Sequence, residues 1–143
     1  MDWFKGGVRL NAKSHRLLGE VHSDLAVLMS AASYETPVPF EITEGLRTYE
    51  RQKGLVKAGA SKTMNSRHLT GHAVDIVCMV KGEARWDWPL YERVSQHILM
   101  IADNLNIPIV WGGSWPTLRD GPHYELDRNA YPAETNKPRL TLL

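Results

Sequence analysis

Asp75 is the residue least suited to its surroundings. It lies in Ala73-Val74-Asp75-Ile76-Val77-Cys78, where every neighbour is apolar. Burying a carboxylate in such a strand is costly unless it is paired, hydrogen-bonded or bound to a metal. On that segment alone, a structural aspartate held by backbone amides or an arginine is the plain reading. The residues ahead of it sharpen the case. Ser66-Arg67-His68-Leu69-Thr70-Gly71-His72 delivers a loop histidine, then a glycine that lets the chain pass close to an ion or substrate. A His and an Asp brought together by a loop-to-strand turn offer a nitrogen and an oxygen donor, a pair suited to zinc. A third ligand is needed, and His15, His22, His72, His97 and His123 are the candidates. His123 is the best of them, in Asp120-Gly121-Pro122-His123-Tyr124-Glu125-Leu126. In a strand His123 and Glu125 share a face. Asp120, across a Gly-Pro turn, can lie near the same ion without ligating it. Three protein ligands, an open position and a nearby carboxylate to handle a proton are what hydrolysis at a metal requires. Taken alone, Asp120-Gly121-Pro122 reads more simply as a turn.

The other histidines have milder readings. His72 could stand behind the ligands or on the substrate side. His22, one position off a helix stripe, reads as a hydrogen-bonded core residue. His15 and His97 read as surface or boundary residues. There is no His-Glu-x-x-His helix, no Gly-x-Ser-x-Gly elbow and no phosphate-binding glycine loop. Cys78 sits in an apolar strand, where a thiol is inert, and should face away from Asp75.

These residues need elements to hold them. Leu17, Leu18, Val21, Leu25, Leu28 and Met29 form one stripe, predicting a helix from about Ser14 to before Thr36-Pro37. Ser14 would cap it, with Asn11 the alternative. Phe40-Glu41-Ile42-Thr43 alternates as a strand, and Thr48 caps a second helix over 49–58. Residues 60–71 read as loop, 73–80 as a strand and 81–83 as a turn. Asp87 and Pro89 open a third helix with a stripe of Leu90, Val94, Ile98, Ile101 and Leu105. Strands follow at 107–111 and 123–126, separated by a Gly112-Gly113 break. The tail from Asp127 is polar. The predicted fold class is α+β, a small single domain over 1–143 with a central antiparallel sheet carrying the site and about three helices around it.

Composition bounds the function. The chain has 143 residues, 43% hydrophobic and 23% charged, which suits one soluble domain. Lys plus Arg number 17 against 16 Asp plus Glu, a net charge of +1. That balance argues against nucleic-acid binding by bulk charge and against a polybasic membrane binder. One cysteine excludes an intrachain disulfide and a Cys-rich zinc module. Neither a secretory leader nor an apolar run of about 18 residues is visible, so synthesis in a cytoplasm without membrane insertion is expected.

Ser66-x-His68-x-x-Gly71-x-Ala73-x-Asp75 followed by Asp120-x-x-His123 resembles the signature of the LAS zinc metallopeptidases. That group includes D-alanyl-D-alanine carboxypeptidases and dipeptidases, and the phage L-alanyl-D-glutamate endopeptidases. The rest of the chain is most similar to the phage branch, through Val21-His22-x-Asp24-Leu25, Thr43-Glu44-Gly45-Leu46-Arg47-Thr48-x-Glu50-Arg51-Gln52 and Trp111-Gly112-Gly113-x-Trp115. The likeness covers about residues 10–126. It implies one zinc ion per chain on His68, Asp75 and His123, with Asp120 as the catalytic acid/base. It implies that Arg47 contacts the substrate or the developing oxyanion. Ser66 matches a motif serine beside the metal and the substrate, and Glu125 a group that orients a ligand. Ser23 departs from a proline common in relatives and affects nothing catalytic.

The implied activity is zinc-dependent cleavage of the L-Ala–D-Glu bond in peptidoglycan stem peptides. The implied setting is a phage or prophage endolysin, a monomer that leaves the host cytoplasm through a holin-type pore to reach the wall. A D,D-carboxypeptidase or dipeptidase is the alternative within the class. A non-catalytic zinc module of the hedgehog type is the alternative outside it, and the presence of both Asp120 and Arg47 argues against that.

Overall fold

The strand that holds Asp75 is the centre of the sheet. The structure, a computed structural model, describes residues 10–133. Residues 1–9 and the end of the polar tail, 134–143, lie outside the described residues. In chain order the elements are α1 (Ala12–Leu18), α2 (Ser23–Ala32), β1 (Phe40–Glu44), α3 (Tyr49–Lys57), β2 (Ala73–Val80), β3 (Glu83–Arg85), α4 (Trp88–Leu105), β4 (Ile109–Trp111) and β5 (His123–Leu126). Short 3-10 turns occupy Arg67–Thr70 and Gly112–Ser114. The strand order is β1-β2-β5-β4, with β3 also on β2, and every pairing is antiparallel.

The α+β class and the antiparallel sheet match the expectation. The helix number does not, because the first predicted helix is two. Its stripe continues in register across a break at Gly19–Val21, so periodicity alone hides the interruption. The break is enforced by caps. His22 Nδ1 accepts the Asp24 N–H at 3.0 Å, and the His22 N–H donates to the Gly71 carbonyl at 2.8 Å. The start is also earlier than Ser14. Asn11 caps α1 by accepting the Ser14 N–H. Ser14 is instead buried, donating to Glu41 and accepting the Ile42 N–H.

One face of the sheet makes the core. Phe40, Ile42, Val74, Ile76, Cys78, Tyr124 and Leu126 pack against Leu25, Leu28 and Met29 of α2 and Val94, Ile98 and Ala102 of α4. Each fully buried aliphatic side chain contributes about 1.5–3 kcal/mol. α4 presents Tyr91, Val94, Ser95, Ile98 and Ala102 inward. The predicted stripe is therefore partly misplaced: Leu90 and Ile101 are half-buried and Leu105 is exposed. Strand β3 was not expected, since its three residues are all exposed and carry no apolar signal. Tyr91 fixes it from below, accepting the Cys78 N–H and donating to the Arg85 carbonyl. Cys78 is a core residue as expected, its thiol pushed up to about 11 by burial. No helix among the described residues is long and apolar enough to cross a membrane.

Candidate active site

The sheet register builds the site. On β2, Asp75 lies opposite His123 of β5 on one side and Glu44 of β1 on the other. Residues opposite one another share a face, so three adjacent strands bring these side chains to one level. Glu44 gets there through a bulge. Ile42 pairs with Ile76 but Glu44 pairs with Asp75, leaving Thr43 as the extra residue. Without it, simple alternation would turn Glu44 toward the core with Phe40 and Ile42.

His68 arrives from the preceding loop. Ser66 caps the 3-10 turn by accepting the His68 N–H, and Gly71 closes it at φ 75°, a left-handed conformation that suits glycine. His68 Nδ1 donates to the Gly45 carbonyl at 2.8 Å. That leaves Nε2 as the acceptor, and it is buried with no hydrogen-bond partner. It faces Asp75 Oδ2 at 3.3 Å without the alignment of a hydrogen bond. His123 mirrors this arrangement, with Nε2 bonded to Glu125 Oε1 at 2.8 Å and Nδ1 turned to Asp75 Oδ1 at 3.2 Å.

His68, Asp75 and His123 thus offer three ligand atoms within 4.8 Å of one another. They are the group of this kind found among the described residues. Two ring nitrogens and a carboxylate oxygen form a donor set that suits a four-coordinate divalent metal with one open position. The bonds to Gly45 and Glu125 fix each ring's orientation and tautomer, as in metal sites generally. A buried polar atom without a partner costs about 1–3 kcal/mol. A cation at this point would give His68 Nε2 its missing partner.

The electrostatics fit a cation as well. Burial would raise the Asp75 carboxyl, but contacts with His123 and His68 outweigh it and hold the group well below the usual carboxylate range. Burial would lower His123, yet hydrogen bonds with Asp75 and Glu125 push it up to about 9. Asp120 moves the other way. Burial first, then the Asp75 charge, raise its carboxyl above the ordinary value. Its backbone is tied in, donating from N–H to the Gly112 carbonyl and accepting the His123 N–H.

Arg47 flanks the group, with Nη2 at 3.8 Å from Asp75 Oδ2. Its other contacts are strong: Nε and Nη2 both bond Glu44, and Nη1 bonds Gln52. Glu44 also takes Arg51. Burial opposes its charge, but bonds from Arg47 and Arg51 prevail and hold it at about 2. Glu44, Gly45 and Gln52 were not singled out individually from the sequence. Gln52 is a fully buried polar residue on an otherwise polar helix, which left no pattern to read. Ser66 lines the cleft beside the group, and its hydroxyl caps the turn that carries His68. His72 does not join the group. It has the strand parity of Val74 and Ile76, the core side, with Nδ1 bonded to Thr70 and its ring 5.6 Å from His22. His15 is exposed, and His97 bonds the Ala32 carbonyl.

Residues 6–135 match the family described as phage L-alanyl-D-glutamate peptidase. The chain belongs to that family. A crystal structure of a Serratia marcescens L-Ala D-Glu endopeptidase, ChiX, superposes with a TM-score of 0.84 at 43% identity, covering 88% of this chain and 95% of that one. An L-alanyl-D-glutamate peptidase of Listeria phage A118 is 38% identical over 94 residues, 66% of this chain. The match spans only 32% of that relative's length. The peptidase of Escherichia phage T5 is 25% identical over 127 residues, covering 86% of this chain and 92% of the relative.

Gly112 leaves no room for a side chain beside the site. A Cβ there would meet the Asp120 carbonyl at 2.5 Å and His123 Cβ at 3.0 Å. Gly112→Ala is expected to cost about 1–3 kcal/mol of stability and to lower activity by displacing Asp120. Chemical denaturation alongside a turnover assay checks this; unchanged values in both would mean that the loop yields freely.

Proposed function

We propose that the chain is a zinc-dependent endopeptidase that hydrolyses the L-Ala–D-Glu bond of peptidoglycan stem peptides, as a phage or prophage endolysin. The observation that carries it is the partnerless, buried Nε2 of His68 facing Asp75 and His123, in a chain of the peptidase family. His68, Asp75 and His123 hold one zinc ion. When bound, that ion supplies Lewis acidity, lowering the pKa of a water to about 7.

This chain's residues do the rest. Asp120 takes the proton of the attacking water on its carboxylate and returns it to the nitrogen of the leaving amine. Burial raises its affinity for protons above that of an ordinary aspartate, which favours the half of that task in which it takes the proton. Arg47 places positive charge beside the carbonyl oxygen as negative charge develops there. Its fixed bonds to Glu44 and Gln52 keep that charge in place. Ser66 and Glu125 hold the two histidines, through the turn cap and the His123 bond. The chain acts as a single domain, supported by one core cluster running from Leu10 to Tyr131. Synthesis in the host cytoplasm, release through a holin-type pore and action as a monomer complete the reading; that two relatives come from phages supports its phage setting.

Metal uptake should carry a proton signature. With His123 raised from 6.5 to about 9, the metal-free protein holds a proton there at neutral pH. That bond network stabilises the metal-free fold fully below pH 6.5 and is lost as pH rises through about 9. Zinc must displace the proton, so its affinity should weaken as pH falls below 9. Calorimetry in buffers of different ionisation enthalpy should show about one proton released per ion at pH 7; none released would contradict the ligand role of His123.

The reading as a whole is tested on purified cell walls. Lysis should stop with a chelator and return on adding zinc. Lysis that persists in chelator contradicts the metal chemistry, and no lysis in any condition would favour a non-catalytic zinc module.

A further inference from the structure

The cleft beside the metal group has a volume of about 580 Å³ and is bounded by the loop from Gly59 to Arg67, by Trp115 and by Asp120, His123 and Arg128. A D-glutamyl residue has two carboxyls. In a stem peptide continued through the γ-carboxyl, the α-carboxyl stays free, on the carbon that bears the nitrogen of the leaving amine. That nitrogen must reach Asp120 to receive its proton. The free carboxylate therefore falls in the same cleft, within a site that already holds the carboxylates of Asp120 and Glu125. It needs a cation that is not already committed.

The cleft and its flank offer few. Arg47 is nearly buried and bonded to Glu44 and Gln52. Arg67 is also buried, its Nη2 donating to the Leu126 and Tyr131 carbonyls, and its Nε and Nη1 are shut off from solvent. Lys62 rides on an exposed loop. Arg128 is different. It is half exposed, and its two contacts are long: Nε at 3.6 Å from Glu125 Oε2, and Nη2 at 3.4 Å from the Asn65 carbonyl. Such contacts aim the guanidinium across the cleft and leave it able to fork onto a carboxylate.

Arg128 is also held in place. The turn that carries it is closed by the Tyr131 N–H on the Asp127 carbonyl, and by Asp127 Oδ2 accepting from Asn129 and Ala130. Arg67 clamps both ends of that turn through the Leu126 and Tyr131 carbonyls. Tyr131 is itself buried, its hydroxyl donating to Asp24. The first residues of the polar tail are thus a built wall of the cleft. Two guanidinium groups, those of Arg67 and Arg128, lie close enough to repel each other. An anion between them and solvent would relieve that repulsion.

We propose that Arg128 is a specificity-determining residue, binding the free α-carboxylate of the D-Glu residue on the leaving side of the cleaved bond. This rests on the L-Ala–D-Glu reading. The test uses two synthetic stem peptides, one with the free D-Glu α-carboxylate and one with that group as the carboxamide. Zinc-loaded wild type, Arg128→Ala and Arg128→Lys are assayed on both. Arg128→Ala should lose roughly 10- to 100-fold in kcat/KM on the carboxylate peptide, mostly through KM, and little on the carboxamide. Arg128→Lys should recover part of the loss. A merely structural effect, passed through Glu125 to His123, would fall on both peptides alike. An equal loss on both, or no loss on either, overturns the role of Arg128 while leaving the L-Ala–D-Glu reading standing. Wild type that cleaves neither peptide overturns both.

Discussion

Asp120→Asn is expected to bind zinc normally and to lose about 10²- to 10⁴-fold in kcat. Asparagine matches aspartate in shape, and the backbone bonds of residue 120 to Gly112 and His123 do not involve the side chain. The fold and the three ligands are left untouched. What disappears is, among the described residues, the one carboxylate lining the cleft that is not a proposed ligand or bonded to one: Asp75 belongs to the metal group and Glu125 is bonded to His123. An amide cannot accept the water's proton or return it to the leaving amine. KM should change little, since the loss lies in the transition state. Burial and the Asp75 charge raise the Asp120 carboxyl, so the acid limb of the wild-type pH profile should lie above that of an ordinary aspartate, about 3.9. That limb should vanish in the variant. Turnover near the wild-type rate would remove Asp120 from the mechanism.

His68→Ala is expected to lose the metal itself. The variant deletes Nε2, the partnerless atom of the group, and also the N–H that bonds the Gly45 carbonyl. Asp75 and His123 remain, but two ligands do not hold zinc as three do. Zinc measured after dialysis should fall from one per chain in the wild type to near zero, and wall lysis should go with it. Thermal unfolding with and without zinc separates this from simple misfolding. The wild type should be stabilised by zinc, by mass action on the folded state, and the variant should not. A purified variant carrying stoichiometric zinc would sink the ligand assignment.

The chemistry-bearing residues were the most legible part of the chain. Asp75 is conspicuous because a carboxylate in an apolar strand demands a partner. His123 and Asp120 follow from strand parity and a turn. Those rules are local, and the register that puts Asp75 opposite His123 obeys them. Features set by tertiary contact were hidden. The α1–α2 break depends on His22 meeting the Gly71 carbonyl, 49 positions away by the numbering, while the apolar stripe runs on across it. Glu44 reaches Asp75 only through the bulge at Thr43, and alternation points it to the other face. His72 reads as a site residue by position, yet one step along a strand turns it to the core. The tail reads only as polar because its described residues, 127–133, are held by a buried tyrosine, by Arg67 and by the Asp127 side chain, not by any periodic pattern.

The products decide which bond the His68–Asp75–His123 site cuts. Purified peptidoglycan digested with the zinc-loaded protein should release, in mass spectrometry, peptides that begin with D-Glu and leave L-Ala on the glycan. Release of D-Ala from intact stems, with the L-Ala–D-Glu bond preserved, would contradict the account and assign the site to D,D-peptide chemistry.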